Sequence, residues 1–192
     1  MDRMTLLFWT VITLLLGAST YFGISAESQR QSLHRASGKI ESGDLLKLVK
    51  VIDGDTLLAA KDQEEPVTIR MVGIKSFESK VEKDVVAPFA RAGIEEMEHA
   101  MADKPLRVLL NAVPKDKQDR YLATLYAEDE DIALHLIHQG LVVVYTVYPF
   151  PAMQIYLQEQ QKARAERRGI WSSKAATERA QALIREWRSQ SE

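Results

Sequence analysis

The sequence predicts an α+β domain, a small β-barrel of about five short strands with about three helices packed against its outside. Two observations support this class. Short β-prone runs are separated by turn residues, and helical patterns are interspersed among these runs. The 192-residue length suits one such domain with an extension. The absence of cysteine excludes disulfides and thiolate metal sites.

The strands are predicted from runs rich in apolar and β-branched residues. Residues 47–52 and 56–60 flank Asp53-Gly54-Asp55, which is a turn signal between two strands. Further β-prone runs cover residues 67–74, 107–110, 121–126 and 142–147.

The helices are predicted from apolar spacing and from end signals. Pro88 begins a helix that runs to about residue 101. Asp131 caps a short helix, which Gly140 ends. Residues 153–167 are helical by composition. Ala176, Ala180, Leu183 and Trp187 share helical spacing, which predicts an amphipathic helix near the end of the chain.

The N-terminal segment, residues 4–26, contains no charged residue and is apolar all round a helix. At about 1.5 Å per residue it reaches roughly 35 Å, enough to cross a bilayer core of about 30 Å. We therefore predict a retained membrane anchor that places the rest of the chain outside the cytoplasm. The alternative is a signal peptide cleaved near Ala26, which gives a secreted chain. A buried soluble helix ranks below both.

The chain thus divides into four parts. Residues 1–26 are the anchor or signal segment, and residues 27–43 are a polar linker. Residues 44–173 form the predicted barrel domain. Residues 174–192 form a basic amphipathic helix.

The net charge of −2 does not indicate a general nucleic-acid binder. Four scattered histidines do not indicate zinc, and no glycine-rich phosphate loop is present.

Five short segments occur in order along the chain: VIDGDT at 51–56, IRMVGI at 69–74, DRYLA at 119–123, HQGL at 138–141 and RGIW at 168–171. In this order they resemble the staphylococcal nuclease (thermonuclease-like) family. The resemblance extends from about residue 45 to residue 173. It implies an OB-fold barrel that binds nucleic acid and hydrolyses phosphodiester bonds of DNA and RNA with Ca²⁺.

The resemblance assigns roles to individual residues. Arg70 and Arg120 match the family's catalytic arginines, whose guanidinium groups can clamp a phosphate and never lose their charge. Glu78 matches the carboxylate that positions the attacking water and acts as general base. Asp55 matches a direct calcium ligand, and Asp53 matches the outer carboxylate of the same turn.

One position departs from the family pattern. The second calcium-ligating aspartate, five residues after Arg70, is replaced by Lys75. This exchange removes an anion and adds a cation, and like charges roughly 4 Å apart repel by about 4 kcal/mol at an effective dielectric of about 20. Two interpretations remain open. The ammonium of Lys75 partly replaces calcium against the phosphate, or the site is inactive and the fold serves binding.

The predicted substrate contacts are partly retained. Lys117 matches a nucleotide-contacting lysine, and Tyr148 matches a tyrosine of the nucleotide pocket, with Tyr145 nearby. Gln118 replaces the tyrosine that usually follows the lysine. Lys75 is the remaining candidate for contact with substrate.

The sequence therefore supports two hypotheses. The first is a membrane-associated phosphodiesterase, and the second is a non-catalytic OB module that binds nucleic acid or a protein partner.

Overall fold

The structure is a computed structural model that describes residues 39–62, 64–77 and 84–191. The predicted anchor or signal segment, most of the predicted linker and Glu78 lie outside these ranges. In the ranges that are described, no helix combines the length and the apolarity that crossing a membrane requires.

Five strands close into a barrel, which confirms the predicted α+β architecture. Antiparallel pairing joins β3 to β2, β2 to β1, β1 to β5 and β5 to β6. The parallel pairing of β3 with β6 completes the ring. The strands of the described ranges are β1 (Leu45–Asp53), β2 (Thr56–Ala60), β3 (Val67–Met71), β4 (Ile74–Lys75), β5 (Leu106–Lys115), β6 (Tyr121–Ala127), β7 (Glu130–Asp131) and β8 (Val143–Val144).

A second, two-stranded sheet lies beside the barrel and differs from the sequence prediction. The predicted strand 67–74 is interrupted at Gly73, whose φ of +79° is a left-handed conformation that ends β3. The chain then re-enters a strand as β4, which pairs antiparallel with β8. The predicted strand 142–147 is thereby reduced to β8.

Four α-helices occur in the described part of the chain. They are α1 (Ala87–Met101), α2 (Ile132–His138), α3 (Met153–Ala165) and α4 (Lys174–Ser191), with a 3₁₀ turn at Gly169–Ser172 between the last two. The predicted cap of α2 is present, because Asp131 Oδ1 accepts a hydrogen bond from the backbone N–H of Leu134 at 3.1 Å. The three helices of the barrel domain and the C-terminal helix agree with the prediction.

The apolar core has two parts. The larger part fills the barrel and the space beneath α1, α2 and α3. The smaller part contains Phe77 just after β4, Val143 in β8, Trp171 and the buried face of α4. The C-terminal helix is therefore packed against the short sheet rather than projecting into solvent.

His135 in α2 links two neighbouring elements. Its side chain is 19% exposed, its Nε2 lies 2.6 Å from Oε1 of Glu96 in α1, and its Nδ1 lies 2.7 Å from Oε1 of Glu130 in β7. Burial opposes protonation, but the hydrogen bonds and charges of the two glutamates prevail and raise the pKa of His135. The protonated ring thus joins α1 and β7 through α2.

His135→Gln is expected to make the free energy of unfolding less dependent on pH. A raised histidine pKa contributes stability that is present below about pH 6.5 and is lost as the pH rises through the folded-state pKa. The destabilisation by His135→Gln should therefore be larger near pH 6 than near pH 9, by less than about 1 kcal/mol for such a partly exposed pair. Urea unfolding at both pH values measures this difference. An equal destabilisation at the two pH values would contradict it.

Candidate active site

Asp55 is the buried centre of the candidate site, at the turn between β1 and β2. Its side chain is 1% exposed. Oδ1 accepts a hydrogen bond from Oγ1 of Thr56 at 3.0 Å, and Oδ2 accepts from the N–H and Oγ of Ser76 at 2.7 and 3.0 Å. The backbone N–H of Asp55 donates to Oδ1 of Asp53 at 2.9 Å, which closes the turn. The Asp55 carboxylate thus links the turn to Ser76, the residue that follows β4.

Two cations flank the Asp55 carboxylate, one at each oxygen. Nη1 of Arg70 lies 3.1 Å from Oδ1, and Nζ of Lys75 lies 3.5 Å from Oδ2. The strands dictate this arrangement, because Arg70 is paired with Thr56 in the β2–β3 ladder and β4 places Lys75 beside the turn. The structure therefore brings together Asp55, Arg70 and Lys75, which the sequence had singled out separately.

The guanidinium of Arg70 is held by backbone carbonyls. Nη1 donates to the carbonyls of Met71 at 3.0 Å and Asp55 at 3.3 Å, and Nη2 donates to the carbonyl of Ile74 at 2.7 Å. The side chain is only 12% exposed. Its Nε–H and one Nη2 hydrogen have no partner among the described residues. These donors are available to a bound anion in an already fixed orientation.

The two aspartates of the turn differ in their acidity. Burial alone would raise the pKa of Asp55, but the charges of Arg70 and Lys75 and the hydrogen bonds to the carboxylate lower it below its ordinary value. Burial, together with the neighbouring charge of Asp55, raises the pKa of Asp53 to about 6. At neutral pH Asp55 is thus a carboxylate that pairs with two cations.

Arg120 reaches the same side of the barrel from the turn between β5 and β6. Its Nε and Nη2 both lie 2.7 Å from Oδ2 of Asp116, which leaves Nη1 without a partner among the described residues. The parallel register pairs Arg70 with Leu122. Side chains two apart on a strand share a face, so Arg120, which immediately precedes β6, is expected on the face of the barrel that carries Arg70.

Asp116 has a positioning role that the sequence analysis missed. Its Oδ1 also accepts the backbone N–H groups of Gln118 at 2.9 Å and Arg120 at 3.0 Å, so one carboxylate shapes the turn and orients the guanidinium. The sequence did contain an indication of this role, because an aspartate in a polar turn can accept hydrogen bonds from the backbone N–H groups of the residues that follow it. Ser76, which donates two hydrogen bonds to Asp55, was missed because the two residues are 21 positions apart in the chain.

Asp116→Asn is expected to lower any phosphodiesterase activity about tenfold. The amide keeps the turn largely intact but loses the charge that holds Arg120, and misplacement of a catalytic group by a fraction of an ångström is costly. Asp119→Asn is the matched control, because Asp119 lies in the same turn and pairs instead with Lys115. Steady-state hydrolysis of an oligonucleotide measures both variants. Equal activity of the two variants would contradict an orienting role.

Of the predicted nucleotide-contacting residues, Tyr145 contacts the loop that holds Arg70. Tyr145 is half-buried, and its backbone N–H donates to the carbonyl of Gly73 at 2.9 Å, beside the loop that holds Arg70. Tyr148 is 71% exposed, with its ring centroid 6.2 Å from that of Tyr145. Lys117 is exposed in the turn that carries Arg120, and no contact links it to Asp55 or to Arg70 in the described ranges.

A family model described as "Staphylococcal nuclease homologue" matches residues 68–173. The chain belongs to this family. It is 27% identical to a thermonuclease of Staphylococcus intermedius over 67% of this chain and 77% of the relative. It is 27% identical to an uncharacterized endonuclease of Haemophilus influenzae over 75% of this chain and 72% of the relative. It is 28% identical to the protein ParB of Escherichia coli over 69% of this chain and 75% of the relative.

Membership of the staphylococcal nuclease family supports three of the expectations from sequence. It implies the OB fold, supports phosphodiesterase function of the nuclease type, and implies that nucleic acid is bound. The family is known to use calcium. In the ranges that the structure describes, no three His, Asp or Glu side chains are grouped as a metal site would require.

Proposed function

We propose that this chain hydrolyses phosphodiester bonds of DNA or RNA with protein cations in place of the family's calcium. One observation carries the proposal. The buried carboxylate of Asp55 holds Arg70 at 3.1 Å and Lys75 at 3.5 Å, and Arg120 lies just before β6, the strand that pairs with the strand of Arg70. Two cations that share one buried carboxylate keep donors with which a phosphate can be bound.

The chemistry requires positive charge at the phosphate oxygens. Negative charge grows on these oxygens as water attacks phosphorus, and donors that are already oriented stabilise it at little cost of reorganisation. Arg70 offers its free Nε–H and Nη2 hydrogen, and Arg120 offers Nη1. The side chain of Lys75 is 44% exposed, so ammonium hydrogens that do not face Asp55 are directed to solvent and to substrate.

The family resemblance assigns the remaining step to Glu78. In this assignment Glu78 accepts the proton of the attacking water, the water oxygen bonds to phosphorus, and the bond from phosphorus to the leaving oxygen breaks. Asp55 takes no proton in this scheme, since its lowered pKa keeps it ionised. Asp55 is instead the residue that positions Arg70 and Lys75.

The donor set around Asp55 does not suit calcium. Calcium takes six to eight oxygen ligands, usually with more than one carboxylate. Here Oδ2 of Asp55 already accepts two hydrogen bonds from Ser76 and faces an ammonium group. Ser76 donates to Asp55 through both its N–H and its hydroxyl. Binding a divalent cation between Asp55 and Lys75 would require these contacts to break.

The non-catalytic alternative also has an observation in its favour. The guanidinium of Arg70 is already engaged by the Asp55 carboxylate and by three backbone carbonyls, which is the pattern of a structural arginine. An OB module with such a site would bind nucleic acid, or a protein partner, without cleaving it. Only an activity measurement separates this alternative from the enzyme.

The test is hydrolysis of a labelled single-stranded oligonucleotide by the full chain, with Arg120→Ala as the inactive variant. Arg107→Ala is the matched control, because Arg107 pairs with exposed Asp129 at the opposite end of β5 from the Arg120 turn. We expect turnover by the wild type and Arg107→Ala, and a loss of about 100-fold or more in Arg120→Ala. Binding without turnover in any metal condition would leave the non-catalytic module as the function.

We also propose that residues 4–26 anchor the protein in a membrane with the barrel domain outside the cytoplasm. The uncharged length of the segment motivates this proposal. The expected result is that carbonate extraction leaves the full chain in the membrane fraction with residues 4–26 intact. N-terminal sequencing that finds a soluble chain beginning near Ala26 would show that the segment is a cleaved signal peptide.

A further inference from the structure

Helix α4 lies outside the family match and yet packs beside the candidate site. The family match ends at residue 173, and α4 begins at Lys174. Its buried residues Ala176, Ala180 and Trp187 belong to one apolar cluster with Phe77. Phe77 is two residues from Lys75, so this helix supports the segment that carries the site's unusual lysine.

Trp187 is the residue of α4 that makes a specific aromatic contact. Its buried ring meets the ring of Tyr145 edge to face, with centroids 4.9 Å apart and an angle of 84° between the planes. This geometry is one that aromatic quadrupoles favour, and it fixes the plane of one ring relative to the other. The orientation of Tyr145 therefore depends on a residue 42 positions later in the chain.

Tyr145, which contacts Trp187, is also hydrogen-bonded to the loop that holds Arg70. Its N–H donates to the carbonyl of Gly73, and the next carbonyl, that of Ile74, accepts from Nη2 of Arg70 at 2.7 Å. On its other side Tyr145 is tilted by 59° to the exposed ring of Tyr148. The two tyrosines thus form an aromatic corner that adjoins the loop holding Arg70.

We propose that Trp187 is a positioning residue for substrate. It holds the ring of Tyr145 so that the corner of Tyr145 and Tyr148 receives an unpaired base beside the phosphate held by Arg70. This inference depends on the proposed function, because it requires nucleic acid at the Arg70 cluster. Helix α4 is then one wall of the substrate site rather than an appendage to the family domain.

The test compares three variants of the full chain. Trp187→Ala removes the edge contact, and Trp187→Phe keeps an aromatic ring in its place. Leu183→Ala is the matched control, because Leu183 lies on the same helix and packs against the same apolar cluster. The measurements are the Kd of a phosphorothioate single strand, the KM and kcat for the ordinary strand, and the thermal midpoint of each variant.

We expect Trp187→Ala to raise both Kd and KM about tenfold, as loss of a base-stacking position does, with kcat changed less than about twofold. Trp187→Phe should restore binding to within about twofold of the wild type. Leu183→Ala should lower the thermal midpoint without weakening binding. Equal effects of Trp187→Ala and Leu183→Ala on Kd would overturn the inference while leaving the proposed function standing. Failure of the wild type to bind the strand at all would overturn both.

Discussion

Arg70→Lys is expected to lower any phosphodiesterase activity about 100-fold or more, nearly as much as Arg70→Ala. Lysine keeps the charge, but a single ammonium cannot reach the carbonyls of Met71 and Ile74 together with Asp55. It also cannot offer the parallel donors with which a guanidinium clamps a phosphate. Loss of one preorganised donor of this kind typically costs 10² to 10³ in kcat, an order-of-magnitude estimate.

Part of this effect will be structural, so stability must be measured alongside activity. Carbonyls left without donors in a buried loop destabilise a protein by about 1–3 kcal/mol. Arg107→Lys is the matched control, because Arg107 lies over the ring of Tyr126 at the far end of β5. We expect Arg107→Lys to keep full activity. A fully active, folded Arg70→Lys would mean that only diffuse positive charge is needed at this position.

Lys75→Asp is expected to create calcium affinity that the wild type lacks. The substitution changes the local charge by two units and places a second carboxylate beside Asp55, whose Oδ2 loses its ammonium neighbour. We expect affinity to rise at least tenfold, about 1.4 kcal/mol, over a wild type that binds calcium weakly or not at all. Isothermal titration of both proteins with Ca²⁺ measures the difference.

Lys75→Met separates the two effects of Lys75→Asp, which are the loss of the ammonium group and the gain of a carboxylate. It removes the ammonium without adding an oxygen ligand, so we expect it to gain less affinity than Lys75→Asp. If Lys75→Asp gains both binding and calcium-dependent activity, the rest of the site is still built for catalysis. If it gains binding alone, the groove has changed as well, and Gln118 is another position that departs from the family pattern. Tight calcium binding by the wild type would contradict our placement of Lys75.

The local features of the fold were predictable from the sequence. The turn at Asp53-Gly54-Asp55, the strands on either side of it and the capped helix after Asp131 all depend on neighbouring residues, and all are present in the structure. The prediction was wrong where one residue changes the chain direction. Gly73 ends β3 by its backbone conformation, whereas its apolar neighbours only indicate a continuing strand.

The contacts within the site were less predictable because they join distant parts of the chain. The sequence assigned Asp55, Arg70 and Lys75 to one site, but it did not indicate that each cation would lie against a different oxygen of the Asp55 carboxylate. Nor did local spacing show that Trp187 would reach Tyr145, since the periodicity of α4 indicates only that one face is buried. Such pairings are set by the barrel and by the packing of α4 in the apolar cluster that also contains Val143 of β8 and Trp171.

The most direct test of the account is the hydrolysis rate of the wild-type chain in excess chelator compared with the rate in millimolar Ca²⁺. If Lys75 and the two arginines supply the positive charge, the two rates should agree to within about twofold, and Lys75→Met should lower both. Hydrolysis that is abolished by the chelator and restored by Ca²⁺ would contradict the proposal that protein cations replace the metal.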